Sequence, residues 1–353
     1  MAKTKTSYSF QFMNSKSLFC FLAAMSLIFF SKSVWAQAPN DLFESEEELI
    51  LNFGFSFKEI HKSKEKSERF PVWIKFEENG TVDSVEAEVR ARGNFRRDKC
   101  QLPPLKLRLK KKKRAGGIFE NHKNLKLVLP CSESGDGDKL IRKEYLAYKL
   151  YEEVNPYFFK TRLVKLNITD FSNKKTKTYQ LQGILIEDDQ MVAKRFGGQL
   201  VKDLRLSPFR VQDSIGIRHD FFQMMIANTD WSTMAQHNIT MMTLGQGKYV
   251  PLPYDFDMSG LVNAYYARVS ELLPIKTVRQ RLYRGVCWEE SLFDHTREEF
   301  IRLQPAISEV MEKHEFLFDS KEMDRIRDYL NGFFEILHDD RKFKSEILDN
   351  CRK

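Results

Sequence analysis

The segment Leu105-Lys106-Leu107-Arg108-Leu109 alternates strictly between apolar and cationic residues. Successive side chains of an extended strand point to opposite faces, so this pattern demands a strand with one buried and one solvated side. The same reasoning places strands at Ile50 to Phe57, Val72 to Phe76, Val85 to Arg92 and Leu125 to Leu129. Glu78-Asn79-Gly80-Thr81 is a hairpin signal between two of them. The period then changes: Leu140, Tyr145, Leu146, Leu150 and Val154 share one helical face, with Asp138 as N-cap and Asn155-Pro156 as the stop. Strands return at Leu163 to Ile168 and Gln180 to Ile186, and residues 188–229 read as mainly helical. Ile239 to Leu244 and Tyr249 to Tyr254 form a second hairpin around Gly245-Gln246-Gly247, and the chain from Trp288 onward is amphipathic helix.

The first 36 residues read as a secretory signal. Lys3, Lys5 and Lys16 are basic, Leu18 to Phe30 is almost wholly apolar, and Val34-Trp35-Ala36 offers a cleavage site. An uncleaved anchor is the alternative, but so short an apolar run does not span a bilayer comfortably. The expected divisions are a signal at 1–36, a polar lead-in at 37–48, a sheet-rich part with one long helix at 49–187, and the second hairpin with helices at 188–353. Removing four lysines and no acids takes the net charge from +8 to +4, too small an excess to argue for nucleic acid. No later stretch reads as a transmembrane helix.

Cys100, Cys131, Cys287 and Cys351 remain after export. An even number in an oxidising compartment suggests two disulfides, favoured as Cys100–Cys131 and Cys287–Cys351 because each pair stays within its own half of the chain. Buried free thiols are the alternative. Their spacing does not suggest zinc.

The stretch from Asn228 to Gly260 carries the most chemistry. Asp230 is followed by His237-Asn238 and, after the hairpin, by Asp255-Phe256-Asp257. Phosphoryl transfer needs one carboxylate to orient the attacking hydroxyl, and hard oxygen ligands that hold a divalent cation on the phosphates. The plainer reading is that Asp230 caps a helix and Asp255 or Asp257 makes a turn. Likewise the basic run Lys110 to Arg114 could touch phosphates or an acidic partner, or be a solvated strand end.

Several segments resemble, in order, the CotH-type (spore-coat protein H-like) atypical protein kinases. They are Arg90-Ala91-Arg92-Gly93-Asn94, Pro104 to Leu109, Leu140-Ile141-Arg142 through Leu150, Gly183 to Asp188, Asn228-Thr229-Asp230, His237-Asn238 and Asp255-Phe256-Asp257. The resemblance covers about residues 85 to 260. It implies a distorted two-lobed protein-kinase-like fold of α+β class, with an antiparallel sheet N-lobe and a mainly helical C-lobe. It also implies an exported, periplasmic or extracellular enzyme that moves the γ-phosphate of ATP to protein Ser or Thr hydroxyls with Mg²⁺ or Mn²⁺.

Carried over by position, Asp230 is the catalytic Asp, Asp255 the metal-binding Asp and Asn238 a second metal ligand, with Asp257 sharing the metal role. Arg108 falls where the family more often has Lys, and Lys106 lies one pleat away. Either would grip the phosphates, paired with Glu144 on the following helix. Arg92-Gly93-Asn94 would approach the phosphates through its backbone, or be an ordinary turn. Glu187 would sit at a hinge beside adenine, or simply end a strand. The chain departs from ordinary kinases in its eight-residue step from Asp230 to Asn238 and in Asp257, which stands where glycine is usual. The alternative function is a binding or cell-envelope assembly protein that has lost the chemistry.

Overall fold

Alternation along the first half of the chain becomes strand after strand. The computed structural model describes residues 41–353, except 64–67, 79, 94, 112–116, 134–135 and 202–204. The signal segment, Asn94 and the middle of the basic run therefore lie outside the described residues. Strands β1 (Ile50–Phe55), β2 (Phe70–Glu78), β3 (Thr81–Ala91), β4 (Leu105–Leu109) and β5 (Asn124–Val128) come first. Short helices α1 (Phe57–Lys62) and α2 (Phe95–Lys99) interrupt them. Helix α3 (Gly137–Val154) precedes β6 (Thr161–Asp170) and β7 (Lys177–Ile186). Asp138 is not the cap of α3: its carboxylate accepts from the Gln182 N–H instead, and Asp136 stands at the N-cap position.

Among the described residues these seven strands form a closed barrel in the order β1-β2-β3-β4-β5-β7-β6. Most neighbours are antiparallel, but β1 runs parallel to β6, from Ile50 opposite Lys165 to Phe55 opposite Asp170. This overturns the expected two-lobed kinase-like fold with an antiparallel sheet N-lobe: the sheet is closed and mixed. Alternation says which side chains turn inward but not which strand lies alongside. The parallel partner of β1 lies more than a hundred residues away in the chain. Closure leaves the barrel with no exposed edge to cap. Its interior is aliphatic and aromatic, with Leu51, Phe53, Ile74, Val85, Val89, Leu105, Leu107 and Leu127 all buried.

Gly183 on β7 is where the barrel wall allows no side chain. A Cβ there would lie 2.6 Å from Leu166 Cδ1 and 2.9 Å from the Val128 carbonyl oxygen. Gly183→Ala is expected to destabilise the protein by about 1–3 kcal/mol through overpacking, read as a lower urea midpoint at unchanged m-value.

The region expected to be mainly helical is more mixed. It holds α4 (Asp189–Arg195), a short strand β8 (Gln199–Val201) and α5 (Asp213–Met225). Strands β9 (Ile239–Thr243) and β10 (Tyr249–Pro253) form the hairpin, and β8 joins it as a separate sheet in the order β10-β9-β8. An irregular stretch then leads to α6 (Glu290–Lys313) and α7 (Ser320–His338). These helices pack with α3 and α5 into a second core around Phe221, Phe222, Phe300 and Phe333.

Glu322, in the first turn of α7, binds Lys139 at 2.7 Å and also Lys143, tying α7 to α3. Burial works to raise its pKa, but hydrogen bonds from the two lysines outweigh it and bring it down to about 2. A depressed carboxylate stabilises the fold above its unfolded value and loses that contribution as pH falls through the folded one. The parent should therefore lose stability between about pH 4.5 and 2 more steeply than Glu322→Gln, as acid-denaturation midpoints would register.

Cys100 bonds Cys131, and Cys287 bonds Cys351. No helix of the described residues is long and apolar enough to cross a membrane.

Candidate functional site

Cross-strand register builds one wall of the site. Arg90 on β3 lies opposite Lys106 on β4, and Lys106 lies opposite Lys126 on β5. Like charges directly opposite on neighbouring strands repel, and Asp188 and Asp189 offset part of that cost at Lys106 and Lys126. The Lys126 ammonium is buried over the rings of Phe159 (4.2 Å) and Tyr254 (4.6 Å) and pairs with Asp189 at 2.6 Å. Burial holds its pKa down; Asp189 pulls the other way, and Arg92 and Lys106 add to the depression. Lys106 lies 3.5 Å from Asp188, and the Arg92 guanidinium sits 5.6 Å over the Tyr254 ring.

The facing wall comes from the ends of β9 and β10 and the turns beside them. Asp230, His237, Asn238, Asp255 and Asp257 line the same cleft as Arg92, Lys106 and Lys126, around a cavity of about 410 Å³. The Asp230 carboxylate accepts from His237 Nε2 (2.9 Å) and from Asn238 Nδ2 (3.0 Å), while the Asp230 N–H donates to Asn228 Oδ1. The Asp230 hydrogen bond raises the His237 pKa above its ordinary value. Gln236, Asn238 and Asp255 all have φ near +50° to +66°, a left-handed conformation that non-glycine residues adopt at a cost. In that conformation the Asp255 N–H donates to the Tyr148 hydroxyl at 2.9 Å.

Beneath these residues lies Arg96. Its NH1 is 3.4 Å from Asp255, 3.6 Å from Asp257 and 3.6 Å from Glu144, and its NH2 donates to the Leu129 carbonyl at 2.6 Å. Three carboxylates around one guanidinium cannot all stay ionised cheaply. Burial pushes Glu144 up to about 8 and Asp257 up to about 6, against the pull of Arg96. Glu144 Oε1 and Asp257 Oδ2 are buried and make no hydrogen bond among the described residues.

The remaining expected residues fall elsewhere. Glu144 pairs with Arg96 and not with Lys106 or Arg108. Arg108 shares the outer face of β4 but lies outside the cleft lining, half-exposed and 3.9 Å from Glu88. Glu187 is buried away from the cleft lining, held by Arg195 at 2.7 Å and by the Lys160 N–H. Asn94 lies outside the described residues. Arg90, Arg96, Lys126, Asp189 and His237 line the cleft with no role assigned to them from the sequence. Lys126 was findable, since Leu125-Lys126-Leu127 repeats the alternation of β4. His237 stood beside Asn238 but was assigned no role. Arg96 was not findable, because the five residues of α2 are too few to show a period.

The donor chemistry of the facing wall fits a hard divalent cation. Asp255 is part-exposed to the cleft, the Asn238 amide nitrogen donates to Asp230 and leaves Oδ1 as the remaining acceptor, and Asp257 is buried with Oδ2 3.6 Å from Arg96 NH1. Among the described residues no three His, Cys, Asp or Glu side chains are already grouped to hold a metal ion. The sequence matches none of the protein-family models scanned and none of the curated proteins searched.

Proposed function

We propose that the cleft binds ATP and transfers its γ-phosphoryl group to Ser or Thr hydroxyls of a protein substrate, the activity that the resemblance to the spore-coat protein H-like kinases implies. The observation that carries this reading is the row Arg90, Lys106 and Lys126 facing Asp230, Asn238, Asp255 and Asp257 across one cavity. A polyphosphate with a divalent cation suits both halves at once: its oxygens would join Asp188 and Asp189 in balancing the row, and its metal would pair with the carboxylates.

In this reading Lys106, Lys126 and Arg92 hold the phosphates by charge. Asn238, Asp255 and Asp257 would hold Mg²⁺ or Mn²⁺, which when bound neutralises charge on the phosphate oxygens. Asp230, oriented by His237 and Asn238, takes the proton of the acceptor hydroxyl. The hydroxyl oxygen bonds to the γ-phosphorus as the bond to the bridging oxygen breaks, and ADP leaves. Secretion fits the basic and apolar start of the chain and the two disulfides.

A second reading is favoured by Arg96. Its guanidinium already places a cation among Glu144, Asp255 and Asp257, which suits a protein that binds a polyanion in the cleft without turnover. Incubation with γ-labelled ATP and Mg²⁺ or Mn²⁺, with and without a generic protein acceptor, separates the two. Label on acceptor or on the protein itself supports transfer. An ATP-dependent rise in melting temperature without label supports binding alone. Neither signal would sink both readings.

A further inference from the structure

The five-residue helix α2 cannot hold its own shape, since one turn of helix is far below the length that is stable alone. It is nevertheless the only carrier of Arg96. Two links pin it to the strand end that follows β5. At one end Arg96 NH2 donates to the Leu129 carbonyl at 2.6 Å. At the other, Cys100 directly follows α2 and is bonded to Cys131, two residues beyond Leu129. The Cys100 N–H donates to the Arg96 carbonyl (3.0 Å) within the end of α2, and the Leu102 N–H crosses to the Cys131 carbonyl (3.3 Å), which closes the clamp. Cys100 is 3% exposed and Cys131 9%, so the bond is built into the wall rather than laid on the surface.

Arg96 in turn joins Glu144 on α3 to Asp255 and Asp257 beyond β10, so parts of the cleft far apart in sequence meet at one guanidinium. We infer that Arg96 is a positioning residue for Asp255 and Asp257, and that the Cys100–Cys131 disulfide is what keeps it in place. The site is then assembled in the oxidised chain and disassembled in the reduced one. Reduction by a dithiol breaks the S–S bond with two electrons and two protons, giving two cysteine thiols and an oxidised reductant. α2 then keeps the hydrogen bonds of Arg96 to Leu129 and of Arg97 to Ser63 but loses its covalent anchor, and the hold of Arg96 on the carboxylates loosens. This deepens the proposed function and rests on it: a chain that carries ATP chemistry stays off in a reducing compartment and acquires its site after export.

The test compares the parent with Cys100→Ser/Cys131→Ser, Arg96→Ala and Arg96→Lys, and uses Cys287→Ser/Cys351→Ser as the control for losing a disulfide elsewhere. Hydrogen exchange of the Asp255 amide, which is bonded to Tyr148, reads positioning without any activity. Initial rates with ATP give kcat and KM. The expected result is at least about tenfold faster exchange at Asp255 and a kcat lower by about tenfold or more in Cys100→Ser/Cys131→Ser and in Arg96→Ala. The KM for ATP should change much less, Arg96→Lys should recover part of kcat, and the control pair should leave kcat at the parent value and speed Asp255 exchange by no more than its loss of global stability, read from its urea midpoint, accounts for. Unchanged exchange and kcat in Cys100→Ser/Cys131→Ser, or exchange there no faster than its own loss of global stability accounts for, would overturn the inference. If the parent transfers no phosphate, the proposed function fails, and the exchange comparison alone still decides the clamp. Should Arg96→Ala not fold, Arg96→Lys and the disulfide pair carry the comparison.

Discussion

Asp255→Ala is expected to lower phosphoryl transfer by about 10²- to 10³-fold, the loss seen when one group that stabilises transition-state charge is removed. Asp255 is the most exposed of the three carboxylates around Arg96 and the one whose side chain lines the cleft with a positive φ behind it. Alanine removes the oxygen proposed to hold the metal and also one partner of Arg96, while Glu144 and Asp257 keep the guanidinium balanced. The fold should therefore survive, and circular dichroism with a urea midpoint would verify that. Asp230→Asn should cost about 10²- to 10⁴-fold, since an amide keeps the shape but cannot take the hydroxyl proton. Initial rates of label transfer at saturating ATP are the measurement. An Asp255→Ala protein that transfers at the parent rate would remove the facing wall from the chemistry.

The second large effect is on stability. Cys287 and Cys351 close a 64-residue separation that contains both long C-terminal helices α6 and α7. On the chain-entropy account, losing that cross-link costs about 4 kcal/mol. The bond also fixes the last residues of the chain, where Val286 bridges Arg352 and the Cys287 N–H donates to the Arg352 carbonyl. Cys287→Ser/Cys351→Ser should show a urea midpoint lowered by the amount that about 4 kcal/mol implies at the parent m-value. A midpoint within error of the parent would mean that the segment from Cys287 to Cys351 is already compact in the denatured chain.

The two predictions bear on different parts of the molecule. The Cys287–Cys351 cross-link lies in the helical part, away from the cleft lining. Its loss should lower stability while leaving the kinetics of the folded protein unchanged. Asp255→Ala should do the reverse. Rates measured well below the unfolding transition would keep the two effects apart.

Local pattern alone determined a good deal here. The alternation of Leu105 to Leu109 made β4, the repeat at Leu140 to Val154 made α3, and Gly245-Gln246-Gly247 made the turn between β9 and β10, with positive φ at all three. Each of these is set within a few residues by side-chain direction or backbone sterics, so the sequence contains the whole cause. The acidic and amide residues Asp230, Asn238, Asp255 and Asp257 were also legible, because residue type and order suggested them before any geometry did.

Only the tertiary structure decided the rest. Closure of the barrel depends on β1 lying beside β6, and period-2 alternation is equally satisfied by an open sheet. Lys106, not Arg108, faces the cleft because register sets it between Arg90 and Lys126, whereas Arg108 falls opposite Glu88. Glu144 found Arg96 rather than a β4 cation because Cys100–Cys131 and the Leu129 carbonyl hold α2 over the end of β5. Those outcomes rest on contacts between residues tens to more than a hundred positions apart, and no local period records which distant partner wins.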